Sequence, residues 1–166
     1  MDELKTLYEQ DQADRHEGLM RKDLQLFLKR DSERLERALT LIKENKIITA
    51  ADHLHAAMIL QHGTEIKHFE MAHELAKKAA EMDYRPEKDE PNPLWLAAAA
   101  KDRVLVTQGR PQLYGTQFRK ESKDGSWKLH DVDPTITDEE RAHWHVPPLS
   151  EAYKRLEKLN RESSSG

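Results

Sequence analysis

Two groups of side chains in this 166-residue sequence are of types that could do chemistry. The first is Asp102 with Arg103, set inside the apolar run LWLAAAAKDRVLV. On a helix, Asp102 shares its face with Trp95, Ala98, Ala99, Leu105 and Val106, all apolar. A carboxylate in such company is desolvated and needs partners, because burying it alone costs several kcal/mol. Arg103 or the following loop, GRPQLYGTQF, can supply them. Such a pairing serves structure as readily as function. The second group is the histidines of one helix pair: His53, His55, His62, His68 and His73. His55 and His62 are seven apart and so lie on one face, two turns from each other. Either could act as an acid–base group near neutral pH. The plainer reading of His62 is a helix C-terminal histidine that meets the last carbonyls.

The segment GRPQLYGTQF has its own physics. Gly109 and Gly115 permit left-handed backbone or a close approach. Gln112 and Gln117 each offer an acceptor and two donors, and Tyr114 offers a ring with a hydroxyl. Two readings stay open: a turn whose amides satisfy backbone groups, or the polar wall of a pocket that recognises a ligand. In DQADR, Asp11 and Arg15 stand at i,i+4, the spacing of an ordinary surface ion pair.

Several chemistries are disfavoured. With no cysteine there are no disulfides, thiolate metal sites or cysteine nucleophiles. No H-x-x-x-H pair is present, and Gly63-Thr64 breaks the helix between His62, Glu65 and His68, so no metal and no cofactor is expected. G-x-S-x-G, G-x-G-x-x-G and P-loop elements are also missing. The 27 basic and 31 acidic residues nearly cancel, which argues against a nucleic-acid partner. No apolar run reaches the ~20 residues of a membrane span, and MDELKTLYEQ lacks a signal-peptide pattern. The expectation is a soluble, cytoplasmic protein.

These residues need elements to hold them. Apolar periodicity predicts helices over 3–16, one or two over 19–44 with Asp31 or Ser32 as a cap, and one over 50–62 opened by Thr49 and Asp52. Thr64 is expected to cap a helix whose stripe is Phe69, Ala72, Leu75, Ala76 and Ala79. After the three-proline loop DYRPEKDEPNP, Asn92 and Pro93 open a helix that Gly109 stops. LYGTQFRKE and SWKLHDVD flank KDG and predict a hairpin over 112–132, placing Gln112, Tyr114 and Thr116 on one face. Thr137 to Glu140 makes a capping box, and PPLSEAYKRLEKLNRE the last helix. The fold class is mainly α (α+β): a bundle of about six helices with one C-terminal hairpin. It is read as a single α-rich domain over 1–162, with 163–166 a disordered tail or an expression remnant. The helix pair at 50–82 has the look of a helical repeat, without a second copy.

The sequence resembles the bacterial domain of unknown function 6624 family. The likeness rests on Asp11-Gln-Ala-Asp-Arg15, His55-Ala-Ala-Met-Ile-Leu-Gln-His-Gly63, Ala72-His-Glu-Leu-Ala76 and Asp102-Arg103. It continues through Gly109-Arg-Pro-Gln-Leu-Tyr-Gly-Thr-Gln117, Thr137-Asp-Glu-Glu-Arg141 and Val146-Pro-Pro-Leu149. It spans nearly the whole chain but implies no settled reaction. What it implies is that Asp11, Arg15, Gln61, His62, Asp102, Arg103, Gln112, Tyr114 and Gln117 belong together.

Two functions from different classes follow. One is a small ligand-binding domain or enzyme for a small or anionic ligand. There His62 or His55 does hydrolytic or group-transfer acid–base chemistry, Asp102 orients it, Arg103 holds an anionic group, and Gln112, Tyr114 and Gln117 recognise the ligand. The other is a helical protein-interaction module in which these polar residues form an internal network.

Overall fold

The computed structural model describes residues 3–165. Among the described residues, eight helices and one hairpin make it mainly α. They are α1 (Glu3–His16), α2 (Leu19–Lys22), α3 (Leu24–Lys43), α4 (Ala50–Leu60), α5 (Ile66–Glu81), α6 (Pro93–Thr107), β1 (Phe118–Lys120), β2 (Trp127–Leu129), α7 (Asp138–His143) and α8 (Leu149–Ser164). The chain divides inside α6, between Ala97 and Ala98, into two compact units. Among the described residues, no helix is long and apolar enough to cross a membrane.

In the first unit, α4 has α1, α3 and α5 against it. That explains why the 54–60 stretch of AADHLHAAMIL is buried on every side, with His55 its one polar member. The predicted stripe of α5 holds for Phe69, Ala72, Ala76 and Ala79, with Leu75 half-buried. Thr49 and Asp52 form the expected capping box: the Thr49 amide donates to Asp52 Oδ2 (2.8 Å) and the Asp52 amide to Thr49 Oγ1 (3.1 Å).

Two expected caps fall elsewhere. The 19–44 stretch breaks at Asp23, whose Oδ1 accepts from the Leu26 amide, and Asp31 lies inside the continuous α3. Asp31 is not a cap because its carboxylate is engaged by arginine side chains. The helix after Gly63 opens at Glu65 rather than Thr64, its amide donating to His68 Nδ1 at 3.2 Å.

In the second unit, Gly109 takes φ 71° and ends α6, as a residue without Cβ can. The start of α6, which belongs to the first unit, is as read, with Asn92 Oδ1 accepting from the Leu94 amide. The hairpin pairs Phe118 with Leu129 and Lys120 with Trp127. It is shorter than the alternation suggests. Residues 112–117 form a loop, with Gly115 at φ 83°, so strand alternation does not set their faces. Gln112 makes only an isolated parallel bridge to Val132. Asn160 on α8 clamps β2 by accepting from the Trp127 amide (2.7 Å) and donating to its carbonyl (3.1 Å). Helix α7 opens on the expected capping box, and α8 continues through Ser164, into the stretch read as a tail.

Candidate functional site

The polar residues of the first unit gather where α1, α3 and the end of α4 meet. Asp11 and Arg15 are one turn apart on α1, and Asp31 and Arg34 are three residues apart on α3, so each pair presents its charges on one face. Arg15 grips Asp31 bidentately, through Nη1 to Oδ1 (3.2 Å) and Nη2 to Oδ2 (2.9 Å). Its Nη2 also lies 3.4 Å from Asp11 Oδ1, and its guanidinium covers the Phe27 ring. Arg34, 5% exposed, donates to Asp14 Oδ2 (2.7 Å) and Asp31 Oδ1 (2.6 Å). Arg30 donates to the other Asp14 oxygen at 2.7 Å. Burial works to raise the Asp14 and Asp31 carboxyls. The arginine hydrogen bonds outweigh it, and both titrate below the ordinary aspartate value.

His62 closes this network. Arg15 Nε is 3.1 Å from its Nδ1 and 3.3 Å from its Nε2, and Asp11 Oδ1 is 3.3 Å from Nδ1. Guanidinium can only donate, so the ring nitrogen that bonds Arg15 is the unprotonated one. If Asp11 accepts from Nδ1–H, Arg15 meets Nε2. The His62 side chain keeps 21% of its surface exposed, against 2% for Asp11. Gln61, beside it, sends its amide nitrogen to Met58 Sδ at 3.4 Å.

His55 sits in a different group. Its ring stacks on Tyr8 at 4.8 Å, and its Nε2 lies 2.8 Å from Glu90 Oε1. Glu90 Oε2 accepts from the Tyr84 hydroxyl (2.6 Å) and the Glu87 amide (2.9 Å). Among the described residues, His55 Nδ1 is buried without a partner. Burial raises the Glu90 carboxyl, but the bonds from Tyr84 and His55 overcome it and hold it low. The Tyr8 phenol is pushed up to about 12 by burial and then by the Glu90 charge. Burial and the Glu90 bond raise Tyr84 as well.

In the second unit, Asp102 is fully buried and anchors the loop. Oδ1 accepts from the Leu113 (2.8 Å) and Tyr114 (3.0 Å) amides. Oδ2 accepts from the Thr116 amide (3.1 Å) and hydroxyl (2.7 Å). Four donors fill a carboxylate's acceptor positions. Burial outweighs even these bonds, so the Asp102 carboxyl titrates above its usual value. The buried Gln112 accepts from the Gln117 amide (2.9 Å) and donates to the Gln117 (3.1 Å) and His130 (2.9 Å) carbonyls. Gln117 accepts from Arg103 Nε (3.3 Å) and donates to Ala99 O and Thr116 Oγ1. The Tyr114 ring lies 5.8 Å from Trp144, and burial raises its phenol.

Within the first unit the sequence candidates form two sets, Asp11, Arg15, Gln61 and His62 in one and His55 in the other; those of the second unit are Asp102, Arg103, Gln112, Tyr114 and Gln117. The carboxylate beside His62 is that of Asp11. Sequence reasoning gave Asp31 only as a cap and Asp14 only within the DQADR motif, and it passed over Arg34, Tyr84 and Glu90. The i,i+3 spacing of Asp31 and Arg34 was the one available signal, whereas Glu90 lies in a loop of unremarkable polar composition. Among the described residues, no group of three or more His, Cys, Asp or Glu is placed to hold a metal ion. Compared with known proteins, the chain matches no family model, no curated protein and no solved structure.

Proposed function

We propose that the first unit binds a small anionic ligand beside His62, and that the chain belongs with the bacterial domain of unknown function 6624 family. The observation that carries this is the clamp on the His62 ring, between the buried carboxylate of Asp11 and the guanidinium of Arg15, at the part-exposed edge of the network. Asp11 sets the tautomer with the proton on Nδ1. Arg15 occupies Nε2 until a ligand's anionic group draws the guanidinium away, and Nε2 is then free to exchange a proton with the ligand. Hydrolytic or group-transfer chemistry is the finer form of this reading. Its support is that three residues grouped by the family resemblance lie within hydrogen-bonding or ion-pairing distance of one another.

The test follows the backbone amides flanking Asp11, Arg15 and His62 in the full chain by NMR during titration with inorganic phosphate and with acetate. A saturable shift that is lost in Arg15→Gln and His62→Gln supports binding. No saturable shift with either anion, or a shift that both variants retain, overturns it. For the catalytic form, His62→Gln should lower turnover of p-nitrophenyl phosphate or p-nitrophenyl acetate by about 100-fold or more.

A second reading, a helical interaction module with an internal polar network, is favoured by charge balance: Arg15, Arg30 and Arg34 face Asp11, Asp14 and Asp31. Under that reading His62→Ala lowers thermal stability markedly. Under the first, folding is nearly intact.

A further inference from the structure

The second unit contains a groove of about 560 Å³ bounded by β2, the 130–136 segment, α7 and α8. Its walls carry Leu129, Val132, Ile136, Leu149, Tyr153 and Leu156. Arg141 also lines it, although only 2% of that residue is exposed. The guanidinium is incompletely used. Nε donates to the Tyr114 carbonyl (3.3 Å), and Nη1 to the Ile136 carbonyl (2.9 Å) and Asp138 Oδ1 (3.2 Å). Among the described residues Nη2 has no protein hydrogen-bond partner, yet it is not one of the buried unpartnered atoms, so its two N–H donors are open to the groove. An ionised acceptor is the strongest partner for the donors of a charged group.

We propose that this groove is a binding site for a small amphipathic carboxylate, its carboxylate on Arg141 Nη2 and its hydrocarbon body along the apolar walls. The volume lies in the range of small-molecule sites, about 300–1,000 Å³. The other charged groups narrow the ligand class. Lys128 and Arg141 are offset by Asp131 and Asp133, and burial keeps His130 below its usual value and thus neutral at pH 7. These two carboxylates, with that of Asp138 on Arg141 Nη1, disfavour a dianion such as a phosphate monoester and suit a singly charged head. Asp133 directs Oδ1 to Thr135, accepting from its amide (2.8 Å) and hydroxyl (2.7 Å), so it does not compete for Arg141.

The experiment titrates the full chain with octanoate, and with octylamine as a matched cation, following backbone amides by NMR. Octanoate should give saturable shifts in residues 128–136 and 149–156, and octylamine should not. Arg141→Gln should weaken octanoate at least about tenfold, the loss of one charge-assisted contact. Since Arg141 also holds two carbonyls, that variant can fail to fold. Tyr153→Glu, on a residue 51% exposed, then decides by placing a repelling charge at the groove, and it should weaken octanoate about threefold or more. Equal shifts with octylamine, no saturable shift with octanoate, or affinity unchanged in the folded variants would each overturn the proposal.

Discussion

Replacing Asp102 should show how much of the second unit hangs on one carboxylate. Asp102→Ala strands the amides of Leu113, Tyr114 and Thr116 and the Thr116 hydroxyl, all of which meet a fully buried group. Each unsatisfied buried donor costs about 1–3 kcal/mol, but these costs are not additive once the loop relaxes and water enters. A net loss of about 3–5 kcal/mol is expected at pH 7, in line with removal of a buried charged partner. For a chain of this size that corresponds to a melting decrease of roughly 6–20 °C. Asp102→Asn keeps the shape but turns an amide nitrogen toward Thr116, donor against donor, and should lose about 2 kcal/mol. Urea denaturation gives the free energies, and amide hydrogen exchange localises the effect to residues 113, 114 and 116. If Asp102→Ala melts within about 2 °C of the parent and those amides stay protected, the carboxylate is not the anchor.

Other expectations concern charge. Folded-state pKa values of Asp14 and Asp31 lie below their unfolded value, so their stabilisation is present above about pH 4 and is lost as pH falls through the folded values. Asp102 has the opposite sign: its raised folded pKa means that its contribution falls as pH rises through that range. Arg34→Met should therefore cost about 3–5 kcal/mol at pH 7 and clearly less at pH 3, measured by urea unfolding at both. An equal loss at the two pH values would refute the pairing. Glu90→Gln should cost about 1–3 kcal/mol and bring the Tyr8 and Tyr84 phenols down toward their usual value. An alkaline ultraviolet titration unchanged by the substitution would show that Glu90 does not set them.

Much of the fold is legible because it is local. The Thr49–Asp52 and Thr137–Glu140 capping boxes, the Asn92-Pro93 start and the Gly109 stop are each written within four residues. Their hydrogen bonds close within a single turn. The α5 stripe is legible for the same reason, since a helix repeats its face every few residues. The site was less legible. Asp31 has the composition of a cap but is drawn away by Arg15, 16 residues earlier. The hairpin reads long because alternation cannot register that Asp102 gathers the 113–116 amides and bends the chain there.

The sequence by itself determined which segments are helices, where most of them begin and end, and that Asp102 inside an apolar run must have partners. It could not decide which partners. His62 meets Asp11 across 51 residues, and His55 meets Glu90 across 35. Such pairs form only when packed helices bring distant faces together, and several carboxylates of equal chemistry were available to each histidine. Tertiary packing made that choice: the carboxylate that accompanies a histidine into the interior is its partner, because burying either one alone is unfavourable.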